Sequence, residues 1–131
     1  MSDRHGTIHW TELATRDIEG AERYFGALCG WTFDKMKTAD GGTYTIAMQG
    51  DRAICGLFDM TGVPQMAGLP AHWSTYIAVD DVDAAVAATR AGAGRVLRNP
   101  WDVAQVGRCA IVADPGGAAV GLITPVTETA E

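Results

Sequence analysis

The stretch HWTELATRDIEGAERYFG, residues 9–26, returns in altered form at residues 72–88 as HWSTYIAVDDVDAAVAA. Each copy opens with His-Trp, runs through an alternating segment, and passes an acidic residue into an alanine-containing segment. Alternation predicts a strand, and apolar residues spaced three or four apart behind a capping aspartate predict a helix. The stretch therefore predicts a strand–helix unit that occurs twice in the chain.

The first half continues this unit with three more strands. A strand over 7–14 precedes a helix that Asp17 caps and Gly30 ends. Glycine-containing turns then separate three segments with the composition of strands, as in hairpins. These segments are WTFDKM (31–36), TYTIAMQ (43–49) and AICGLF (53–58). The first half is therefore predicted to be β-α-β-β-β.

The second half repeats this order after a connector at 59–72 that contains proline and glycine. A shift of 64 residues aligns Asp17 with the second capping residue, Asp81. The predicted second-half strands are WSTYIAV (73–79), a short RVL (95–97), RCAIVA (108–113) and AAVGLIT (118–124). Each half alone would leave one sheet face bare, so we expect both to assemble around a shared concavity. The fold class is thus α+β, with two βαβββ modules, at about 5–60 and 70–126, forming a curved mixed sheet around a cavity in a single domain, 1–131.

Composition narrows the function classes. The chain has 131 residues, of which 47% are hydrophobic, and a net charge of −6. Negative charge argues against a nucleic-acid partner, which needs a basic patch. No apolar run approaches the ~20 residues of a membrane span, and no secretory signal is visible. We expect a cytoplasmic protein without a membrane partner. The three cysteines are widely spaced and predict neither a disulfide framework nor a zinc ribbon.

Three segments carry a resemblance to a known superfamily: ATRDIEGAERYFGALCGW (14–31), AVDDVDAA (78–85) and VADPGGAAVGL (112–122). They resemble the vicinal oxygen chelate superfamily, which includes glyoxalase I, extradiol dioxygenases, and fosfomycin and bleomycin resistance proteins. The resemblance implies two βαβββ modules around a ligand cavity and a homodimer. Its motifs are specific to the fold and not to one reaction.

The resemblance also implies where a metal would bind. In metal-dependent relatives the ligands come from the first and last strand of each module. These positions correspond here to Trp10, Gly56, Ser74 and Gly121. A divalent ion needs converging imidazole, carboxylate or similar donors, which tryptophan and glycine lack and serine replaces poorly. We therefore expect no metal and no cofactor.

The same positions suggest a binding wall. Trp10 offers a flat apolar surface with one N–H donor, and Glu12 shares its strand face. Glu12 could act as an acid, a base or a cation anchor, or simply be solvated or paired with arginine. The predicted ligand-binding residues are Trp10, Glu12, Gly56, Ser74, Tyr76, Trp101 and Gly121, with Tyr44, Met48 and Phe58 as second-tier lining candidates.

Two histidines have different expectations. Strand alternation turns His9 to the face opposite Trp10, where we expect it to pack under a helix or lie partly exposed. His72 has the parity of Ser74 and Tyr76 and is a candidate at the cavity mouth, although a loop histidine is more often surface decoration.

Three functions remain open. The first is a metal-free protein that sequesters a planar or cationic small molecule, as in antibiotic resistance of the bleomycin type. The second is a cofactor-independent isomerase, lyase or hydrolase in which Glu12 works with His72 or Tyr76 as catalytic acid and base. The third is a metal-dependent lyase or dioxygenase with displaced ligands, such as Glu12, His72 and Asp102. We place the sequestering protein first.

Overall fold

A computed structural model describes residues 3–38, 41–103 and 106–126. Its elements run β-α-β-β-β twice, with a short 3-10 helix between the two runs. The predicted α+β class and both βαβββ modules are confirmed. The chain clusters into two compact units. One unit spans Trp10–Ser74, and the other runs from Thr75 onward and includes the described residues up to His9.

The first unit holds one helix and a four-stranded mixed sheet. Its strands follow the order β2-β3-β4-β1, in which β1 is parallel to β4 and the other neighbours are antiparallel. The elements are β1 (Ile8–Thr15), α1 (Ile18–Cys29), β2 (Thr32–Lys37), β3 (Thr43–Gln49) and β4 (Arg52–Asp59).

Helix α1 begins and ends where the sequence predicts. The Asp17 carboxylate accepts a hydrogen bond from the Gly20 N–H at 2.9 Å, which satisfies one of the free amides of the first turn. Gly30 adopts a left-handed conformation, with φ of 74°, and its N–H donates to the Gly26 carbonyl. The helix therefore stops before β2.

The core of the first unit lies between α1 and one face of the sheet. Its buried members are Leu13, Ala47, Cys55 and Leu57, and partly buried residues of α1 pack against them. In a strand, successive side chains point to opposite faces. The residues between these core positions therefore lie on the sheet face that points away from α1.

The connector is held against the first unit. It contains a 3-10 helix, Pro64–Met66, and the buried side chain of Met60. The Arg16 guanidinium donates to the carbonyls of Met66, at 3.1 Å, and Leu69, at 2.8 Å. These contacts satisfy backbone carbonyls of a segment that has no sheet partner of its own.

The second unit repeats the arrangement with strand order β5-β8-β7-β6, and β5 and β8 are parallel. Its elements are β5 (His72–Ala78), α2 (Val82–Ala91), β6 (Arg95–Val103), β7 (Gly107–Ala113) and β8 (Ala119–Pro125). The Ala78 backbone also exchanges hydrogen bonds with Gly6, at 2.7 Å, and Thr7, at 2.9 Å. These bonds explain why the residues up to His9 cluster with this unit.

Helix α2 covers one face of this sheet. The Asp81 carboxylate accepts from the Ala84 N–H at 3.1 Å, which confirms the second predicted cap. The core on this side consists of Val82, Val86, Ala110, Val112 and Leu122. No helix in the described ranges is long and apolar enough to span a membrane.

Strand β6 is longer than the sequence predicts. The short strand predicted at 95–97 extends in fact to Val103. Its pairing with β7 shifts twice, between Val96 and Arg98 and again between Arg98 and Trp101. Each shift is a β-bulge, where an extra residue interrupts the alternation by which a strand is recognised.

Candidate functional site

The face of the first sheet that points away from α1 carries one row of aligned residues. Glu12 on β1 pairs in register with Gly56 on β4, Gly56 with Ile46 on β3, and Ile46 with Asp34 on β2. Register partners in neighbouring strands project from the same side of a sheet. This row therefore places Glu12 and Asp34 on one surface of the first unit, with Gly56 and Ile46 between them.

Trp10, Tyr44 and Glu12 form a hydrogen-bonded chain on this surface. The Trp10 Nε1 lies 3.0 Å from the Tyr44 hydroxyl, and that hydroxyl lies 2.7 Å from Glu12 Oε2. An indole N–H can only donate, so the Tyr44 oxygen accepts from Trp10 and directs its own proton to the carboxylate. Trp10 therefore sets the direction of the chain, and Glu12 is its acceptor. All three residues are half-buried.

Gly56 makes this chain possible. A Cβ atom on Gly56 would overlap the Tyr44 hydroxyl and would lie 3.0 Å from Trp10 Nε1. Tyr44 stands on β3 and Glu12 on β1, with β4 between them. The phenol therefore crosses β4 at the one residue of the row that has no side chain.

The second sheet has an equivalent row on the face that points away from α2. Tyr76 pairs with Gly121, Gly121 with Ile111, and Ile111 with Arg98. A Cβ on Gly121 would overlap the Tyr76 ring and come within 2.8 Å of its Cγ atom. Both predicted glycine positions are thus covered by a tyrosine side chain. The tyrosine that covers the glycine belongs to β3 in the first unit and to β5 in the second.

Trp101, a predicted binding residue, lies in the second unit with one face covered. The Arg98 guanidinium stands 3.6 Å from the centroid of its ring, in a cation–π contact. Its neighbour Asp102 is engaged elsewhere, because Arg108 donates to Asp102, at 3.1 Å, and to Asp83, at 2.8 Å. The hydrogen bond from Arg108 to Asp83 also holds the pKa of the Asp83 carboxyl below its ordinary range.

The two histidines differ in their surroundings. His9 is half-buried, and burial, followed by the nearby Arg4 charge, lowers the pKa of its imidazole below the ordinary 6.5. The expectation that His9 is partly exposed is confirmed. His72 Nδ1 lies 2.8 Å from the Pro70 carbonyl oxygen. A carbonyl can only accept, so Nδ1 of His72 is the donor, and this nitrogen is committed to a local contact.

Surface depressions lie elsewhere in the molecule. One of about 340 Å³ next to α2 is lined mainly by small apolar residues, and another of about 450 Å³ lies near Arg16 and Lys35. Neither is lined by a predicted site residue. Ser74, a further predicted binding residue, is half-buried on β5.

Comparison with known proteins identifies the family of this chain. A sequence model of the Glyoxalase/Bleomycin resistance protein/Dioxygenase superfamily matches residues 7–122. The chain belongs to this superfamily. It is the family that the sequence resembles, since the vicinal oxygen chelate proteins include glyoxalase and bleomycin resistance members.

Two curated relatives of this chain carry different names. The chain is 40% identical over 121 residues to "Putative glyoxylase CFP32" of Mycobacterium bovis. This match covers 91% of the present chain and 46% of that protein. It is 29% identical over 124 residues to "Anthracycline biosynthesis protein DnrV" of Streptomyces peucetius. This match covers 87% of the present chain and 45% of that protein. The chain thus spans about half the length of the curated relatives it matches.

A solved structure supports the fold independently of close sequence similarity. The crystal structure of methylmalonyl-CoA epimerase from Mycobacterium tuberculosis aligns with a TM-score of 0.64 at 16% identity, covering 97% of this chain and 93% of that one. Identity at this level shows a shared fold and leaves the reaction open.

The superfamily includes metal-dependent members, so the fit of a metal can be tested on the residues present. At the positions that the resemblance assigns to ligands, the first unit offers an indole that is already donating to Tyr44 and a glycine under a phenol. Neither provides a lone pair for a divalent ion. In the described part of the chain, no three His, Cys, Asp or Glu side chains are grouped so that they could hold a metal. The residues at the two first-unit positions therefore do not fit a divalent cation.

Sequence reasoning underestimated two residues. Tyr44 was only a second-tier lining candidate, although it joins Trp10 to Glu12. Arg98 was not a candidate at all, although it covers Trp101. One signal for Arg98 was available, because residues 84–101 contain three arginines and no acidic residue in a chain of net charge −6.

Proposed function

We propose that the first unit carries a metal-independent site for a planar, positively charged small molecule. The observation that supports it is the chain from Trp10 through Tyr44 to Glu12. It fixes two aromatic side chains and a carboxylate on one sheet face. Rigid aromatic surfaces bind planar compounds by stacking, and few polar groups suffice to orient a ligand.

Charge supports a cationic ligand. The Glu12 carboxylate accepts a hydrogen bond from the Tyr44 hydroxyl, which holds its negative charge on this face. Asp34 lies in the same row, and it adds a second negative charge to this face. The net charge of −6 attracts cations toward the whole chain as well. An amine or a charged aromatic nitrogen is the group that such a face would hold.

One relative is consistent with this ligand class. The protein from Streptomyces peucetius is named for anthracycline biosynthesis. Anthracyclines that bear an amino sugar, such as daunorubicin, are planar, polycyclic compounds with an amine. We infer that an anthracycline-like compound suits the site, and that the domain acts by binding it without breaking a bond.

Tryptophan fluorescence can test the proposal. The protein would be titrated with 9-aminoacridine, which is planar and cationic at neutral pH, with daunorubicin, and with the anionic acridine-9-carboxylate. We expect saturable quenching by both cations and weaker binding of the anion. Trp10→Ala should weaken binding at least about tenfold, which is the typical effect of removing an aromatic anchor.

The charge requirement has its own matched controls. Glu12→Gln should weaken the cationic probes about tenfold, while Asp34→Asn, which changes an exposed acid in the same row, should have a smaller effect. Unsaturable quenching, or equal affinity of wild type and Trp10→Ala for every probe, would overturn the proposal. Metal analysis of untagged protein tests metal independence separately, and a stoichiometric divalent ion would contradict it.

A second candidate function is proton transfer by Glu12. The 2.7 Å contact with Tyr44 favours it, because the hydroxyl orients the Glu12 carboxylate, which can take a proton from a substrate carbon and, as the resulting carboxylic acid, give a proton back to that carbon. This arrangement replaces the predicted partners His72 and Tyr76 with Tyr44. Deuterium exchange from D2O into 1,3-dicarbonyl compounds, followed by mass spectrometry, would reveal it. Exchange that Glu12→Gln abolishes and Asp34→Asn retains would favour catalysis over binding alone.

We also propose that the chain forms a homodimer, as the family resemblance implies. Tyr24 and Leu28, one turn apart on α1, have 60% and 63% of their surface exposed. We take this pair as the centre of the interface, because contiguous exposed apolar surface marks interaction sites. Light scattering of the wild type and of a Tyr24→Glu, Leu28→Glu variant tests this. A monomeric wild type at high concentration would contradict it.

A further inference from the structure

Two bulges in β6 bring Arg98 and Trp101 to the same face of the second sheet. In a regular strand, residues three positions apart project to opposite faces. Here Arg98 pairs with Ile111 and Trp101 with Cys109, so three steps along β6 match two along β7. The extra residue restores a common face, and the Arg98 guanidinium lies 3.6 Å from the Trp101 ring centroid.

The first bulge decides which face this is. Val96 pairs with Val112, which belongs to the core under α2. The next pair, Arg98 with Ile111, moves two steps on β6 but only one on β7. Arg98 therefore points away from α2, whereas regular alternation would have directed it into the core. Bulges that re-aim a side chain in this way are common beside binding sites.

Arg98 has a ring contact but no carboxylate partner in the part of the chain that the structure describes. Arg108 in the same unit is different, since it binds both Asp83 and Asp102. Both Arg98 and Trp101 are half-buried. A guanidinium stacked on an indole keeps its N–H donors in its own plane, away from the ring, which suits a planar or tetrahedral anion.

The surroundings of Arg98 also favour an anion. Residues 84–101 contain three arginines, at 90, 95 and 98, and no acidic residue, and the flanking Asp83 and Asp102 are both bound by Arg108. Tyr76 lies in the same row as Arg98, with Gly121 and Ile111 between them. An aromatic ring and a positive charge thus share one surface of the second unit. The corresponding row of the first unit carries the acidic residues Glu12 and Asp34 instead.

We propose that the bulged segment of β6 is a binding site for the anionic group of an aromatic ligand. Arg98, held over Trp101, contacts the anion, and the row toward Tyr76 accommodates the ring. The chemical class is an aromatic carboxylate or phosphate. This site lies in the second unit and does not depend on the function proposed for the first.

NMR spectroscopy of ¹⁵N-labelled protein can test it through the Trp101 indole N–H signal, which a Trp101→Phe variant would assign. The probes are 2-naphthoate, phenyl phosphate, inorganic phosphate and the neutral 2-naphthalenemethanol. We expect saturable shifts with the two aromatic anions, and at least about tenfold weaker binding of the alcohol, as a charge-assisted hydrogen bond predicts. Comparison of phenyl phosphate with inorganic phosphate shows whether the ring contributes.

Matched variants distinguish a specific anion site at Arg98 from nonspecific electrostatic attraction. Arg98→Gln should weaken naphthoate at least about tenfold, Arg98→Lys less, and Arg95→Gln, at an exposed arginine of the same strand, less than about twofold. Equal losses in Arg98→Gln and Arg95→Gln would overturn the proposal, because they would indicate nonspecific attraction. Equal binding of naphthoate and the alcohol would overturn it too. The melting temperature of Arg98→Gln shows whether the variant stays folded, and Arg98→Lys provides the comparison if it does not. Failure at Trp101 leaves the proposal for the first unit unaffected, because the Trp10→Ala and Glu12→Gln variants test that site separately.

Discussion

The Tyr44 hydroxyl lies directly over Gly56, in the space that a Cβ atom on this glycine would occupy. Gly56→Ala should therefore displace the phenol and break its hydrogen bonds to Trp10 and Glu12. Overpacking of this kind costs about 1–3 kcal/mol of unfolding free energy. Urea unfolding measures it, with Gly116→Ala as a control, since a Cβ there meets only an ordinary contact at 3.5 Å. Equal stability of the two variants would show that Tyr44 does not need this space.

Removal of the Tyr44 hydroxyl should have a distinct effect. Tyr44→Phe keeps the ring but leaves the Trp10 N–H without its acceptor and takes one donor from Glu12. We expect a loss of about 1–2 kcal/mol, together with a shift in the Trp10 indole N–H signal. Tyr24→Phe is the control, because Tyr24 is 60% exposed on α1. If Tyr44→Phe is as stable as Tyr24→Phe, the hydrogen-bonded chain does not contribute to stability.

Stability should depend on pH through His9. Burial, with a smaller effect of Arg4, lowers the pKa of this imidazole in the folded protein below 6.5. The unfolded state then binds the proton more readily, so the His9 contribution is full above about pH 6.5 and is lost as pH falls through the lower, folded-state pKa. Urea unfolding of wild type and His9→Gln between about pH 7.5 and about pH 5 measures it. The unfolding free energy of the wild type relative to that of His9→Gln should fall toward low pH, and a relative unfolding free energy that rises would contradict the assignment.

The cysteines should react unequally. Cys29 is exposed, whereas Cys55 and Cys109 are buried, with 2% and 4% of their surfaces accessible. Burial, followed by the proximity of Cys29, raises the pKa of the Cys55 thiol, which reduces its thiolate fraction. In the native protein, Ellman's reagent should titrate one thiol quickly, and Cys29→Ser should remove that phase. Fast reaction of a second thiol in Cys29→Ser would contradict the burial of the other two.

The sequence predicted those parts of the fold that local patterns determine. Asp17 and Asp81 were recognisable as caps, and they accept the expected amide hydrogen bonds. Strand β3 was predicted with the bounds that it has, because its apolar and polar residues alternate. The length of β6 could not be predicted because its two bulges interrupt that alternation, and the second bulge contains Pro100, a residue that is uncommon within strands.

The site was predictable only in part, because it depends on contacts between strands. Alternation along β1 placed Trp10 and Glu12 on a common face, and the structure confirms that both reach the same hydroxyl. The role of Tyr44 depends on the register of three neighbouring strands, which no single segment encodes. The face to which Arg98 points could not be predicted, because the bulge before it reverses the face that strand alternation predicts.

The cover over Gly56 has a consequence for how this lineage can change. A carboxylate introduced at residue 56 would collide with Tyr44, so that it could be accommodated only after residue 44 had become smaller or moved. If residue 56 changed first, the resulting protein would be strained by the overlap with Tyr44. The order of substitutions is therefore constrained, and the effect of either mutation depends on whether the other has already occurred.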